Sequence, residues 1–150
     1  MSMFKYVSKN TIEHLSLHDC QCRRFYFADN ALHFDMEWME VLASHPDNPF
    51  NKAHQSGEGK VILANPEIVS GQLIATPPAS DREIDRIEDL DVRNIEILDF
   101  DEEADENTYS LKMFGQIYGN KKYDFIEMRI RYIESEVMFD ELGDVSWFET

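Results

Sequence analysis

Residues 14–22, HLSLHDCQC, are the densest group of side chains in the sequence that could perform chemistry. Histidine, aspartate and cysteine can bind a transition metal, and a cysteine close to a histidine can act as a nucleophile. The alternating sequence around them favours a strand, in which His14 and His18 would lie about 13 Å apart, too far to share one ion. We therefore predict no metal site, but a polar strand face that ends in a turn at His18-Asp19.

The two cysteines of the chain, Cys20 and Cys22, belong to the same stretch. On a strand they would share one face about 7 Å apart, which is a poor separation for a disulfide. Reduced thiols are therefore expected, as in a reducing compartment. Arg23 and Arg24 follow them and could lower a thiol pKa. One functional hypothesis is accordingly a hydrolase or thiol enzyme that uses His18, Asp19, Cys20 or Cys22.

A second histidine-acid set, His33, Asp35 and Glu37, alternates along a predicted strand. Neighbours on one strand face lie about 7 Å apart. General acid-base catalysis needs a partner within hydrogen-bond reach in a sheltered pocket, and nothing in the sequence indicates one. We expect a solvated strand face.

The segment 44–59, SHPDNPFNKAHQSGEG, is predicted to be a loop because it is rich in proline, glycine, asparagine and aspartate. At about 16 residues it would be longer than an ordinary hairpin connection. It carries His45 and His54. Since loops carry function more often than cores do, this segment is a candidate specificity element.

Negative charge is concentrated in one region of a chain whose formal net charge is −16. Residues 81–106 contain 13 acidic residues and three arginines, a net charge of −10. Such a surface repels nucleic acid and anionic membranes, so neither is an expected partner. It attracts cations, and a basic protein is the predicted partner. The oligomeric state stays open.

Within this region Asp99, Asp101 and Glu103 alternate as at the start of a calcium-binding EF-hand loop. Ala104 and Ser110 occupy the positions of the required glycine and bidentate glutamate, so the motif fails. No dinucleotide, Walker, zinc-protease or nucleophile-elbow motif occurs either, and no cofactor is expected. The candidate protein-binding residues are Asp99, Asp101, Glu102, Glu103, Asp105 and Glu106.

An apolar-polar period of two predicts antiparallel strands that bury one face. Two hairpins are predicted, one at Asp29-Asn30 and one at Gly119-Asn120, because these residue types tolerate tight turns. The first hairpin joins residues 23–28 to 31–42, the second joins 108–118 to 123–134, and further strands are predicted at 60–64, 68–75 and 92–100. Residues 101–107 read as a charged turn, and residues 135–149 as either a last strand or a docked tail.

One helix is predicted at residues 81–90. Ser80 and Glu83 have the spacing of a capping box. Apolar residues follow at intervals of three from Ile84 to Leu90, which is typical of one helical stripe.

The predicted fold is mainly β, an antiparallel sandwich or partly open barrel with this one short helix, in a single domain spanning residues 1–150. A curved sheet covered by the helix, an α+β fold, is the alternative. The chain is 43% hydrophobic, but its longest apolar runs cover four residues each, far short of a membrane span. The first ten residues lack an apolar signal-peptide core, and a cytoplasmic location is expected.

The piece LSLHDC, followed by the hairpin RRFYFADNALHFDMEW, resembles the opening of several small acidic bacterial β-domain families, some of which resemble toxin-immunity proteins. The resemblance covers about residues 15–38. It implies a β domain and a turn at His18-Asp19, and it carries over no catalytic residue.

Three functions are therefore considered. The first is a non-enzymatic, immunity-like protein that binds a basic partner. The second is a small-ligand-binding β domain whose pocket would be lined by Trp38, Trp147 and some of the ten phenylalanines. The third is the hydrolase or thiol enzyme based on His18, Asp19, Cys20 or Cys22. The absence of catalytic motifs favours the first.

Overall fold

The computed structural model describes residues 4–149, which form fourteen strands and three short 3-10 turns. No helix longer than these turns occurs in this part of the chain. The strands are β1 (Tyr6–Lys9), β2 (Leu15–Ser16), β3 (Gln21–Ala28), β4 (Ala31–Met36), β5 (Glu40–Val41), β6 (His54–Ser56), β7 (Gly59–Ala64), β8 (Glu67–Ala75), β9 (Arg82–Glu83), β10 (Asp91–Ala104), β11 (Tyr109–Ile117), β12 (Tyr123–Tyr132), β13 (Glu134–Phe139) and β14 (Leu142–Val145). The 3-10 turns are Ile12–His14, Ile87–Asp89 and Trp147–Glu149. In this part of the chain no helix is long and apolar enough to cross a membrane.

Ten strands form one antiparallel sheet in the order β1-β13-β7-β4-β3-β10-β11-β12-β8-β9. The edge strands β1 and β9 do not pair with each other, so the sheet is not a closed barrel. A second sheet has the order β14-β6-β5-β2. The large sheet curls over its own inner face, because Phe34 of β4 meets Phe100 of β10 edge-on at 5.6 Å although β3 lies between their strands. The predicted mainly-β, antiparallel fold is confirmed.

The inner face of the large sheet carries the core, and the period of two explains which residues fill it. On β12 four apolar or aromatic residues are buried while the alternate residues Glu127, Arg129 and Arg131 are exposed. Large side chains close the interior, with Phe25 and Phe34 stacked at 4.4 Å. The largest fully buried side chains include Tyr132, Phe25, Phe34, Phe139, Leu32, Met36 and Met39.

Both predicted hairpin turns are present. Asp29 and Asn30 have φ angles of 53° and 57°, and Gly119 has 75°, the left-handed conformations that such tight turns require. The strand that follows the first hairpin is shorter than predicted, since residues 37–39 leave the large sheet before β5.

The predicted helix at residues 81–90 is wrong. Arg82 and Glu83 form β9, which pairs with Gln72 and Leu73 of β8. The Phe27 amide of β3 then donates to the Leu90 carbonyl. The segment thus runs extended between two strands of the large sheet, with a single 3-10 turn at Ile87–Asp89. Its apolar residues at intervals of three pack against the core at successive points rather than along one helical stripe.

Two other segments also differ from expectation. The predicted loop at 44–59 contains β6, which pairs with β5 and β14, so only part of it is a loop. The predicted charged turn at 101–107 is strand as far as Ala104. Residues 135–149 supply most of β13 and all of β14, which settles the open alternative in favour of strands.

Candidate protein-binding surface

The candidate acidic residues begin on the second half of β10, where the strand pairs with β11. Asp101 lies opposite Lys112, and Glu103 lies opposite Ser110. Both acidic side chains are exposed. Because side chains alternate along a strand, they share the outer face of the sheet, away from the core. We use the name acidic strip for the exposed or half-exposed set Asp99, Asp101, Glu103, Asp105 and Glu106.

Like charges lie close together in the acidic strip. A hydrogen bond with the Asp99 carboxyl, together with its negative charge, raises the pKa of Asp101, so a second negative charge beside the first is disfavoured. Asp105 and Glu106 continue the strip into the turn, where the Asp105 amide donates to the Thr108 carbonyl at 2.8 Å. No residue of the strip forms an ion pair within 4 Å in the part of the chain that the structure describes. The strip therefore presents its charge to solvent.

Glu102 does not belong to this surface, which corrects the prediction for that residue. It points to the inner face, where its carboxylate accepts a hydrogen bond from the Tyr132 hydroxyl. Burial raises the pKa of Glu102, and burial together with the Glu102 contact raises the pKa of Tyr132. Side chains alternate along β10, so Glu102 lies on the same face as Phe100. Because residues 101–107 were predicted to be a turn, this alternation was not applied to Glu102.

Beside the acidic strip lies an open groove of about 710 Å³ on the outer face of β10, β11 and β12. Its acidic side is formed by Asp101 and Glu103, and its basic side by Lys112, Arg129 and Arg131. Lys112 lies opposite both Asp101 and Arg129, since β11 is the middle strand. These cations are not among the predicted site residues, although the alternation of Arg129 and Arg131 on β12 is visible in the sequence.

The HLSLHDCQC stretch forms the predicted turn and no catalytic cluster. Asp19 has a positive φ of 66°, and its amide donates to the Ile97 carbonyl at 2.7 Å. The His18 Nδ1 donates to the Leu98 carbonyl at 2.6 Å. These contacts join the turn to the middle of β10. His14 ends a 3-10 turn, not a strand, so the strand begins one residue later than expected.

The cysteines lie in the core as free thiols. Cys20 and Cys22 are 0% and 1% exposed. Burial raises the pKa of each to about 12, so both are protonated at neutral pH. The expectation that Arg23 and Arg24 could activate a thiol is therefore wrong, because desolvation dominates.

His45 looks like half of a catalytic pair, but its hydrogen bonds oppose that role. Its Nδ1 accepts from the Asp47 amide at 3.0 Å, and its Nε2 lies 3.2 Å from the Ser8 hydroxyl. A neutral ring with an acceptor Nδ1 carries its proton on Nε2, which must donate to Ser8 and cannot act as its base. Burial lowers the pKa of His45 and keeps the ring neutral. His45 is thus buried in the core and is not exposed on a loop surface.

His54 lies in β6, where its ring stacks on Phe50 at 4.2 Å and its Nδ1 donates to the Gly143 carbonyl. The predicted solvated face of His33, Asp35 and Glu37 is correct for the exposed Glu37 but not for His33. His33 is buried, stacks on Tyr26 at 4.9 Å and donates from Nε2 to the Ala28 carbonyl. Asp35 pairs with Lys60 at 3.1 Å. His33, Asp35 and His54 thus contact neighbouring strands rather than one another.

Among residues 4–149, no three histidine, cysteine or acidic side chains converge to hold a metal ion. Trp38 packs against the core, and Trp147, which is 57% exposed, lies at the surface. Comparisons with protein-family models, with curated proteins and with solved structures give no match. The immunity-like resemblance stays a prediction, and the surface geometry is the basis for a function.

Proposed function

We propose that this protein is a non-enzymatic binding protein that docks a basic protein through the acidic strip, in the manner of an immunity protein. The observation that carries the proposal is the adjacency of Asp99 and Asp101 on an exposed strand face, with no cation within 4 Å of either in the described chain. A fold gains nothing from two carboxylates that repel each other. A cationic partner would relieve that repulsion.

Rigid presentation supports the same function. The charges of Asp101 and Glu103 stand on a strand that is paired with β11. Side chains on a paired strand are held in a fixed array, and a fixed array of one sign steers a complementary partner into one orientation. Association at low salt should then be fast, and it should slow as salt screens the charges.

The test begins with affinity capture from the extract of the native host, with washes at low and high salt and mass spectrometry of the bound proteins. A stoichiometric basic protein that salt removes becomes the partner for kinetics. The triple variant Asp99→Asn, Asp101→Asn, Glu103→Gln should lower its association rate constant about tenfold or more at low salt and flatten the salt dependence.

A control variant removes the same charge elsewhere. Asp29→Asn, Glu37→Gln and Asp144→Asn neutralise three exposed carboxylates that form no ion pair within 4 Å in the described chain. This control should change the rate constant less than about twofold, because local charges dominate steering. Equal rates for the strip variant and the wild type, or equal losses in both variants, would reject the proposal.

A further inference from the structure

The groove beside the acidic strip has opposite charges on its two sides. One row across the strands runs Asp101, Lys112, Arg129, and the next runs Glu103, Ser110, Arg131. Neighbouring strands are about 4.8 Å apart, so β10 and β12 are separated by about 10 Å. The groove is thus acidic on β10 and basic on β12.

The three cations of the groove form no close ion pair with the acids beside them, although the charge of Lys112 acts on Asp101 across the two strands. Lys112, Arg129 and Arg131 form no ion pair within 4 Å in the described chain. Lys112 and Arg129 are direct cross-strand partners, and like charges in that position reduce sheet stability. Lys112 lies opposite Asp101, and Arg131 also lies opposite Glu67 of β8, but neither pair closes to within 4 Å. Arg129 has Lys112 and Ser70 as its cross-strand partners, so its guanidinium has no carboxylate directly opposite it.

From this juxtaposition we propose that the groove recognises a dipolar protein segment, whose cationic side chain faces β10 and whose carboxylate, about 10 Å away, faces Arg129 and Arg131. The proposal rests on the proposed function and adds the orientation of the partner. Guanidinium groups bind carboxylates through two parallel hydrogen bonds, which makes the basic side suited to fix register. The acidic strip would set the rate of encounter, and β12 would set the choice of partner.

Two synthetic peptides separate this proposal from simple attraction by net charge. One is Ac-GKGKGEGEG-amide, which is dipolar and neutral; the other is Ac-GKGKGKGKG-amide, which carries four positive charges. The probe is a titration of ¹⁵N-labelled protein at low ionic strength, followed by NMR. A protein of net charge −16 prefers the cationic peptide if only net charge matters. We expect instead that the dipolar peptide binds at least about threefold more tightly, with shifts at the amides of Lys112, Arg129 and Arg131.

The variant Arg129→Glu, Arg131→Glu should reverse that preference, because both sides of its groove are acidic. Arg129→Gln, Arg131→Gln should remove the preference for the dipolar peptide, so that net charge then favours the cationic peptide, less strongly than in the double glutamate variant. Lys121→Glu, Lys122→Glu makes the same charge change in the exposed turn between β11 and β12 and should keep the wild-type order. All six substitutions are at exposed positions, and NMR spectra report whether each variant is folded.

Tighter binding of the cationic peptide by the wild type, no binding of either peptide in the groove, or an unchanged order in the double glutamate variant would overturn the inference. The proposed function has a separate point of failure. It falls if no basic protein is captured, if the strip variant binds the captured protein like the wild type, or if the strip variant and its control lose equally, whatever the peptides do.

Discussion

At the scale of single residues, three sets of carboxylates show how the environment decides what a carboxylate can do. Those of the acidic strip are exposed or half-exposed and form no ion pair within 4 Å in the described chain. Glu40 is 1% exposed, with its two oxygens accepting from the Gln55 amide and the Ser146 hydroxyl at 2.9 Å each. Glu102 is half-buried against Tyr132. Of these three, only the carboxylates of the strip are open to a partner, because Glu40 and Glu102 are held by contacts inside the fold.

Glu102 should make stability depend on pH. Its pKa in the folded chain is above the ordinary value of 4.5, so the folded chain retains a proton that the unfolded chain has lost. The stability that Glu102 contributes is therefore fully present below about pH 4.5 and is lost as pH rises through its raised pKa. Glu102→Gln removes this loss while leaving an acceptor for Tyr132.

The variant should be more stable than the wild type at pH 7, and the difference should disappear below about pH 4.5. Urea denaturation at a series of pH values measures both chains. A gap between the two that persists or grows in acid would contradict this account.

At the scale of elements, the sequence predicted strands well and the helix badly. Alternation on β12 has one physical meaning, since one face is buried and the other is wet. Apolar residues at intervals of three are compatible with two structures. They describe a helical stripe, or an extended segment such as residues 84–90 that contacts the core at intervals. Pairing of β9 with β8, a tertiary contact, decided between them.

Ser80→Ala tests whether a helix cap exists. Ser80 is exposed, and the segment after it is extended, so the substitution should change the unfolding free energy by less than about 0.5 kcal/mol. Loss of a true N-cap would cost about 1 kcal/mol. Chemical denaturation followed by fluorescence measures the difference.

Leu90→Ala is the companion variant, because Leu90 is buried where the segment reaches β3. It should cost about 2 kcal/mol or more, as other buried leucine truncations do. If Ser80→Ala lowered the unfolding free energy by about 1 kcal/mol, the amount that an N-cap contributes, the prediction of a helix would be supported after all.

The candidate surface was predictable only in part. Charge density alone marked the acidic strip. The groove depends on β10, β11 and β12 pairing in one register, and pairing that brings Asp101, Lys112 and Arg129 into one row is not encoded in any short stretch. The buried histidines were misassigned for a similar reason, since the contacts that enclose His33 and His45 come from other strands.

At the scale of the whole molecule, the net charge of −16 opposes the compact state by self-repulsion. Screening should therefore stabilise the fold. Raising NaCl from about 10 to 200 mM shortens the screening length roughly fourfold or more and should raise the melting midpoint by about 2–4 °C. Calorimetry measures the shift.

The strip variant, with three fewer negative charges, should show a smaller salt effect than the wild type. Destabilisation of the wild type by the same salt would mean that attractive ion pairs, such as Arg24 with Asp91, outweigh the repulsion.

Strand order in the large sheet also has a consequence for synthesis on the ribosome. β7 is hydrogen-bonded on one side to β4 and on the other to β13, which is made roughly 70 residues later. At about 5–20 residues per second, the apolar edge of Gly59–Ala64 waits for roughly 4–14 seconds before its partner emerges. An uncovered apolar edge can pair with another nascent chain. The translation rate between residues 64 and 134 thus sets how long the β7 edge of each nascent chain can pair with nascent chains on other ribosomes of the same mRNA.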